Sequence, residues 1–198
     1  MYPRPAFTET DPQRIADLIT ANPFGLLVTN SETGMDASHV PFVVEQVADP
    51  LILVAHLGRP NPQSALLDGG QALAIFSGPH AYIAPGWYKT QPAVPTWDFA
   101  AVHVHGKLEA VDDYEPAATI VRELARDDPM NFDMDLLPEK FRLSMMRGIR
   151  AFRLRAERIE AQWKMSQNRS IEDRQGVIAA LRAQGNDAVA DLIAATII

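Results

Sequence analysis

The spacing of apolar and polar residues predicts alternating short helices and strands in the first half of the chain. The segment PQRIADLITAN has a proline at its first helical position and carries Ile15, Leu18 and Ile19 on one face, which predicts an amphipathic helix. The segments FGLLVTN and DASHVPFVVEQ flank the turn-forming SETG and predict a β-hairpin, and LILVAHL predicts a third strand. RPNPQSALLDGG predicts a helix of roughly two turns, with Asn61 as N-cap residue and the glycine pair as its end, before the buried strand QALAIFSG.

The second half of the chain shows the same alternation after an irregular segment. Residues 79–96 are rich in proline and aromatic residues and predict an ordered loop. WDFAAVHVHGKLEAV predicts a long strand, DDYEPAATIVRELARDD and PEKFRLSMMRG predict two helices, and IRAFRLRAERIEA alternates as a half-exposed strand does. WKMSQNRS follows this strand directly. Ser170 and Asp173 then approximate a capping box for the next helix, and a last helix is predicted after Asn186.

About six predicted strands dominate residues 24–160, with helices inserted between them or appended. Strands at this spacing close most simply on themselves, which predicts a mainly β fold with peripheral helices around a β-barrel core. With 198 residues, no internal repeat and no evident linker, the chain is expected to form a single domain over residues 1–198, with C-terminal helices over about residues 170–198.

The charge pattern leaves the kind of partner open. A net charge of −7 argues against nonspecific binding of nucleic acid by the chain as a whole. The segment from Lys140 to Arg158 holds seven basic residues and one acidic residue, so the other residues together carry −13. This basic segment is interpreted either as a solvated helix and strand face or as a surface for an anionic partner.

Composition removes several classes of chemistry. The absence of cysteine excludes disulfides, thiolate nucleophiles and cysteine-ligated metal sites. No apolar run is long enough to span a membrane and no signal-peptide core opens the sequence, so a cytoplasmic protein without a membrane partner is expected. His103 and His105 share a strand face, but no neighbouring acidic residue completes a known ligand spacing, so no metal is expected. The sequence also lacks nucleophile-elbow, Rossmann and P-loop motifs.

Several predicted loops nevertheless carry groups that suit an anion and a planar ring. Arg59 and Asn61 stand where a strand ends and a helix begins, so a cation and free helix amides would converge there on a phosphate. The aromatic residues of the irregular region either cover the end of the barrel or wall a planar ligand. Together with the polar side chains of WKMSQNRS, they favour a phosphorylated flat heterocycle such as flavin mononucleotide (FMN). The ring-facing and polar candidates are Tyr82, Trp87, Tyr88, Thr96, Trp97, Lys164, Ser166, Gln167 and Arg169.

Six ordered stretches carry a resemblance to a known family. They are NPFGLLVTN, ASHVPF, AHLGRPNPQ, FSGPHAYIAPGWY, VPTWDFAAVHVHGKLEAV and WKMSQNRSIEDRQGVIAAL. In order and spacing they resemble the PaiB-like family of FMN-binding negative transcriptional regulators, from Tyr2 to about Gly185. The resemblance implies an FMN-binding split β-barrel related to pyridoxamine-phosphate oxidases and flavin reductases, with a homodimer that binds FMN at the subunit interface.

The resemblance also nominates cofactor-binding residues at the matching positions. HLGRPNPQ corresponds to the corner that holds the FMN phosphate, SHVP to a strand beside the isoalloxazine, and PTW to residues near the ring. WKMSQNR resembles the C-terminal tryptophan-to-arginine motif of the oxidases. The residues nominated in this way are His39, Arg59, Asn61, Thr96, Trp97, Trp163, Lys164, Gln167 and Arg169. The chain departs from the usual family sequence at Pro60, Asp98 and Gln162.

Three functional hypotheses follow. The first is an FMN-binding split-barrel homodimer of the regulator family, in which flavin is a sensory or structural ligand. The second is a flavin-dependent oxidoreductase of the pyridoxamine-phosphate oxidase or flavin reductase type, which needs little acid or base from the protein because the flavin carries the hydride. The third is direct DNA binding through the basic segment, which rests on family analogy alone because the sequence has no helix-turn-helix signature.

Overall fold

The structure, a computed structural model, describes residues 1–2, 4–32 and 34–197. Thr33 of the predicted SETG turn and Ile198 at the end of the predicted C-terminal region lie outside the described residues. The chain forms two compact units. Unit 1 comprises Met1–Asp11, Ser77–Val102 and Glu160–Ile198, and unit 2 comprises Pro12–Phe76 and His103–Ile159. The single domain expected from the sequence stays a prediction.

In the described part of the chain, seven strands form one sheet in the order β2-β1-β5-β6-β7-β4-β3. The sequence predicted about six strands. The structure has one more because the predicted strand DASHVPFVVEQ is divided into β2 and β3. The strands are β1 (Phe24–Ser31), β2 (Gly34–Pro41), β3 (Val43–Gln46), β4 (Ile52–Gly58), β5 (Asp68–Ile83), β6 (Thr96–Val111) and β7 (Ile149–Lys164).

The described residues form five α-helices, one before the first strand and the others between or after the strands, and each lies where the sequence predicted a helix. In α1 the residues Ile15, Leu18 and Ile19 are buried, which confirms the predicted inner face. None of the described helices combines the length and the apolar character that crossing a membrane requires. The helices are α1 (Pro12–Ala21), α2 (Tyr114–Leu124), α3 (Glu139–Arg147), α4 (Ile171–Ala183) and α5 (Asp187–Ala194).

A break at Phe42 shows why the sheet of unit 2 closes. DASHVPFVVEQ was predicted to be one strand, and this prediction was wrong, since β2 pairs with β1 whereas β3 pairs with β4. Pro41 has no N–H to donate, and the side chain of Phe42 is buried. Although a single residue separates β2 from β3, the two strands lie at opposite ends of the sheet order, which would be about 29 Å apart if the sheet were flat. The sheet therefore curls until its outer strands meet, as in a barrel.

The side chain of Phe42 also anchors the core of unit 2. Its ring makes edge-to-face contacts with Phe76 and Phe152, at centroid distances of 5.3 and 6.2 Å. A second apolar cluster packs α2 against the strands and contains Val54, Val111, Ala117, Ile120 and Ala151. The inward positions alternate along β6, as the sequence predicted, whereas β4 buries Leu53, Val54 and Ala55 in succession.

Three predicted boundaries differ from those of the structure. The helix predicted after Asn61 is a five-residue 3₁₀ helix, Pro62–Leu66, and the glycine pair opens β5 instead of ending the helix. Gly70 must pack closely there, since a Cβ atom would lie 2.4 Å from the carbonyl oxygen of Leu66. The predicted loop begins later than residue 79 because Ala81 and Ile83 continue the inward alternation of β5.

Candidate functional site

The segment WKMSQNRS begins as a strand. Trp163 and Lys164 are the last residues of β7, so the prediction that the whole segment follows the strand was wrong. The ammonium group of Lys164 donates hydrogen bonds to Thr96 Oγ1 at 2.7 Å, to the carbonyl oxygen of Trp97 and to Asp98 Oδ1 at 3.1 Å. Because an ammonium group has three donors, these contacts use its whole capacity.

Asp98 is the buried acceptor at the centre of this group. Its side chain is 0 % exposed, and its second carboxylate oxygen accepts a hydrogen bond from Ser166 Oγ at 2.6 Å. Ser166 has a positive φ of 56°, a conformation that a serine adopts only at a cost. The Asp98 carboxylate is therefore paired with Lys164 and hydrogen-bonded to Ser166, so both of its oxygens have partners.

Gln167 closes the same turn. Its side-chain oxygen accepts a hydrogen bond from the Met165 amide at 2.6 Å, and its side-chain nitrogen donates to the carbonyl oxygen of Trp163. Both ends of the amide thus bond to the backbone at the end of β7, at Trp163 in the strand and at Met165 just beyond it. Trp163 itself is buried. In this arrangement Gln167 shapes the turn that leads from β7 to α4.

Arg169 and α4 fasten the aromatic loop of unit 1. The Arg169 guanidinium carbon lies 4.4 Å from the centroid of the Tyr88 ring, a cation–π contact. Ser170 caps α4 as predicted, since its hydroxyl oxygen accepts a hydrogen bond from the Asp173 amide at 3.2 Å. The Asp173 carboxylate accepts a hydrogen bond from the Thr90 amide at 2.8 Å, which lowers the pKa of this carboxyl group below its usual range.

An exposed group of aromatic rings lies beside the Lys164 cluster in unit 1. Trp97 is 55 % exposed and Tyr82 is 47 % exposed, and their rings meet edge to face at 6.0 Å. The His80 ring lies 6.2 Å from that of Trp97. Large aromatic residues that remain exposed together are typical of ligand or protein contact surfaces. We call these three residues the aromatic surface.

Arg59 and Asn61 lie at the predicted corner of unit 2, but their contacts differ from the prediction. Arg59 Nε donates a hydrogen bond to the carbonyl oxygen of Arg147 at 2.9 Å, which directs the side chain toward α3. Asn61 Oδ1 accepts from the Gln63 amide at 2.9 Å, so the first amide of the 3₁₀ helix is already bonded. The free helix amides that the phosphate prediction required are therefore not found in this short helix, whose first residue, Pro62, has no N–H.

Gln63 is a buried polar residue that the sequence analysis did not single out. Its amide nitrogen donates to the carbonyl oxygens of Leu27 and Asp36 and to Thr29 Oγ1, which fixes the orientation of the side chain. Its Oε1 atom is buried and has no hydrogen-bond partner among the described residues. A buried acceptor of this kind requires a donor from water or a ligand. In the sequence, the position of Gln63 in the motif NPQ was the only indication of this buried residue.

His39 lies on the exposed face of β2, at an edge of the sheet order. Its ring stacks on that of Phe24, with a centroid distance of 5.4 Å and an interplanar angle of 16°. Phe24 itself is 67 % exposed. The two rings form a flat apolar surface in unit 2, which suits either a planar ligand or another protein surface.

Three of the seven basic residues in the segment 140–158 form ion pairs with carboxylates of the chain. Arg142 pairs with Asp135 at 3.0 Å, and Arg153 forms a bidentate pair with Glu45 at 2.6 Å. Arg150 binds both Asp112 and Asp68, each at 2.9 Å. An arginine bound to a carboxylate contributes less positive charge to the binding of an anionic partner. These pairs therefore favour the interpretation of the segment as an ordinary solvated face.

Comparisons with known proteins place these features in a family. The sequence profile of the family described as "Putative FMN-binding domain" matches residues 1–158. Over 192 residues the chain is 33 % identical to "Protease synthase and sporulation protein PAI 2" of Bacillus subtilis (strain 168), and the match covers 94 % of this chain and 91 % of that protein.

Solved structures show the same fold at low sequence identity. A conserved hypothetical protein of Mycobacterium tuberculosis is 13 % identical, with a TM-score of 0.63 and coverage of 86 % of this chain and 94 % of that chain. An FAD and heme binding protein of Mycobacterium smegmatis is 14 % identical, with a TM-score of 0.60 and coverage of 79 % and 73 %.

The family match confirms the resemblance read from the six ordered motifs, and the structural matches confirm the mainly β, split-barrel fold class. The break at Phe42, the seven-stranded sheet and the family profile lead to one assignment. This chain belongs to the family of FMN-binding domains that includes the PaiB-like proteins, and its cofactor is the flavin FMN.

Proposed function

We propose that this chain is an FMN-binding homodimer in which flavin is a sensory or structural ligand, and that it has a regulatory function. The observation that carries the proposal is the closed cluster of Lys164, Asp98 and Ser166. These polar groups bind one another and hold the strand end that carries Trp97. Because these groups use their hydrogen bonds on one another, they form a rigid support for the exposed ring of Trp97. A flavin oxidoreductase needs little acid or base from the protein, so turnover of a nicotinamide, tested below, separates the two flavin functions.

The described residues fit the chemistry of FMN. Trp97 and Tyr82 offer exposed rings against which a planar isoalloxazine can pack. In unit 2 the buried Oε1 atom of Gln63 has no donor among the described residues, and a hydroxyl or N–H group of water or of a ligand would supply one. A bound flavin carries redox chemistry of its own, so the protein needs only to bind and orient it. The role of Arg59 at the phosphate stays a prediction, because its side chain is directed toward α3.

Exposed apolar residues support the homodimer. Phe24 and Met35, on the paired strands β1 and β2 of unit 2, are 67 % and 78 % exposed, and Trp97 in unit 1 is 55 % exposed. Monomeric proteins rarely leave such large apolar side chains open to water in groups. A second copy of the chain would cover them.

The regulatory part of the proposal rests on the relative. The name of the Bacillus subtilis protein refers to protease synthesis and sporulation, and a comparable role is proposed here on the basis of 33 % identity over almost the whole of both chains. Direct DNA contact through the basic segment receives no support from its ion pairs with Asp135, Glu45, Asp68 and Asp112. A regulatory function that does not use direct DNA contact through the basic segment is therefore favoured.

A flavin titration of the purified full-length protein tests the proposal. We expect the visible flavin band to shift and the thermal midpoint to rise on addition of FMN. Trp97→Ala should weaken binding by about tenfold through loss of ring contact, whereas the equally exposed control Phe141→Ala should not change it. Absence of both signals with the wild-type protein would refute FMN binding. Oxidation of NADH or NADPH at a catalytic rate by the flavin-loaded protein would instead support an oxidoreductase.

A further inference from the structure

A small cavity in unit 2 lies beside α2 and α3, and none of its lining residues belongs to the aromatic surface. Its volume is about 260 Å³. Ligand pockets commonly measure about 300–1,000 Å³, so this cavity suits a molecule considerably smaller than FMN. The apolar part of its lining consists of Val111, Ala117, Leu143, Met146, Ile149 and Ala151.

Arg59 is held at the mouth of this cavity by the end of α3. Its backbone amide donates to the carbonyl oxygen of Gly148 and its Nε donates to that of Arg147, both at 2.9 Å. The hydroxyl of Ser64 donates to its carbonyl oxygen at 2.8 Å. These bonds fix the backbone and the stem of the side chain. The described residues provide no ion-pair partner for the two terminal nitrogens of the guanidinium group, which remain available to an anion.

Arg147 supplies a second positive charge to the same cavity. It is the last residue of α3, and among the described residues its guanidinium group has no carboxylate within ion-pair distance. Its backbone oxygen, by contrast, is bonded to Arg59. The two arginine side chains are thus connected through α3 and line one cavity.

The carboxylate in the lining is already neutralised. Both oxygens of Asp112 accept hydrogen bonds from Arg150 at 2.9 Å, and this bond, aided by the nearby charge of Arg59, lowers the pKa of Asp112. Arg150 also binds Asp68 at 2.9 Å. The lining itself holds two arginines, Arg59 and Arg147, and one aspartate, Asp112, which leaves a local charge of +1. An incoming ligand with one negative charge would balance it.

We propose that this cavity binds a small amphipathic monocarboxylate, whose carboxylate lies between Arg59 and Arg147 and whose hydrocarbon group packs on Leu143 and Met146. The planar guanidinium group matches a carboxylate in two parallel hydrogen bonds. The apolar floor selects against inorganic phosphate and against fully polar anions, which would leave it in contact with water. This site extends the proposed function, since it provides a second ligand that is chemically distinct from the flavin.

The binding of 3-phenylpropionate, an aromatic monocarboxylate, tests the inference in full-length protein. We expect saturation-transfer NMR to detect binding with a dissociation constant on the order of 1 mM or tighter. The neutral 3-phenylpropanamide should bind at least about tenfold more weakly, because it cannot form charge-assisted bonds with two arginines. Equal binding of the amide would overturn the role of the arginines.

Two variants locate the site. Arg147→Gln removes one charge and should weaken binding by roughly tenfold, and Leu143→Trp should block the cavity and abolish binding. Arg155→Gln removes an exposed arginine outside the cavity and should leave the affinity unchanged. If Arg147→Gln and Leu143→Trp bind the probe as well as the wild-type protein does, the proposed site is wrong.

Saturating FMN separates this inference from the proposed function. If the probe binds equally with and without FMN, the two sites are independent, as proposed. Displacement of the probe by FMN would overturn a separate site and would assign Arg59 to the flavin phosphate. Failure of FMN binding alone would leave the probe result unaffected, because Arg147 and Leu143 are not among the residues nominated for the flavin.

Discussion

The ammonium nitrogen of Lys164 lies 3.1 Å from Oδ1 of Asp98, a carboxylate that is 0 % exposed. The two residues belong to the strands β7 and β6, and the pair holds the end of β7 on the segment that carries Thr96 and Trp97. A buried charge is tolerated only when it is paired and fully hydrogen-bonded. The structure meets both conditions, because Ser166 supplies the remaining bond to the carboxylate.

Replacement of Lys164 should therefore lower the free energy of unfolding more than replacement of an ordinary surface lysine does. We expect Lys164→Met to lower the free energy of unfolding by about 3 kcal/mol, since it leaves the Asp98 charge buried and without a cation. Urea denaturation of the variant measures this loss. The exposed control Lys140→Met should change stability by less than about 0.5 kcal/mol.

Addition of Asp98→Asn to Lys164→Met should restore about half of that loss, because no charge then remains buried. Equal destabilisation by Lys164→Met and Lys140→Met would contradict the pair's importance.

Ser166 combines a strained backbone with a useful hydrogen bond. At φ 56° the backbone conformation is less strained for glycine than for alanine, by about 1 kcal/mol. Both Ser166→Gly and Ser166→Ala remove the 2.6 Å hydrogen bond to Asp98, so their difference reports the backbone strain alone. We expect Ser166→Ala to be more destabilising than Ser166→Gly by about that amount, as measured by chemical denaturation. Equal stability of the two variants would show that the turn relaxes without the positive φ.

At position 176 the usual preference of a helix for alanine over glycine should be reversed. Although Gly176 lies within α4, a Cβ atom there would be 2.3 Å from the carbonyl oxygen of Trp87. Alanine normally stabilises a helix interior by about 1 kcal/mol over glycine, but here it should destabilise the protein by about 1–3 kcal/mol through overlap with that backbone. Thermal unfolding measures the change. Gly86→Ala, which has open space around its Cβ position, is the control, and an unchanged midpoint in Gly176→Ala would refute the overlap.

Asp173 should contribute to the acid sensitivity of unit 1. Its pKa is lowered from an ordinary value of 3.8, chiefly because the Thr90 amide donates a hydrogen bond to the carboxylate. The stability from this bond is fully present above pH 3.8 and is lost as the pH falls through the lower folded-state pKa.

We therefore expect Asp173→Asn to unfold at a lower temperature than the wild-type protein at pH 7. The difference should narrow as the pH falls below about 4. Thermal midpoints measured across pH 3–7 test this expectation, and a difference that widens on acidification would contradict the sign.

The sequence alone was sufficient for most of the secondary structure and for the family. Apolar periodicity located α1, since Ile15, Leu18 and Ile19 mark an inner helix face whatever the rest of the chain does, and the other described α-helices also lie where the sequence predicted helices. Apolar runs, turn signals and alternation located the strands, and Ser170 identified the start of α4 because N-capping is a local interaction. Six ordered motifs identified the family that the profile match confirms.

Only the tertiary structure decided how the polar residues are used. The sequence could not show that Phe42 interrupts a strand, because the burial of its ring against Phe76 and Phe152 depends on the curvature of the whole sheet. Nor could it show that Lys164 faces Asp98 in place of a ligand, since the two residues lie far apart in the chain and meet only through strand packing. Local patterns depend on neighbours a few residues away, whereas the partner of a charge depends on which strands the fold brings together.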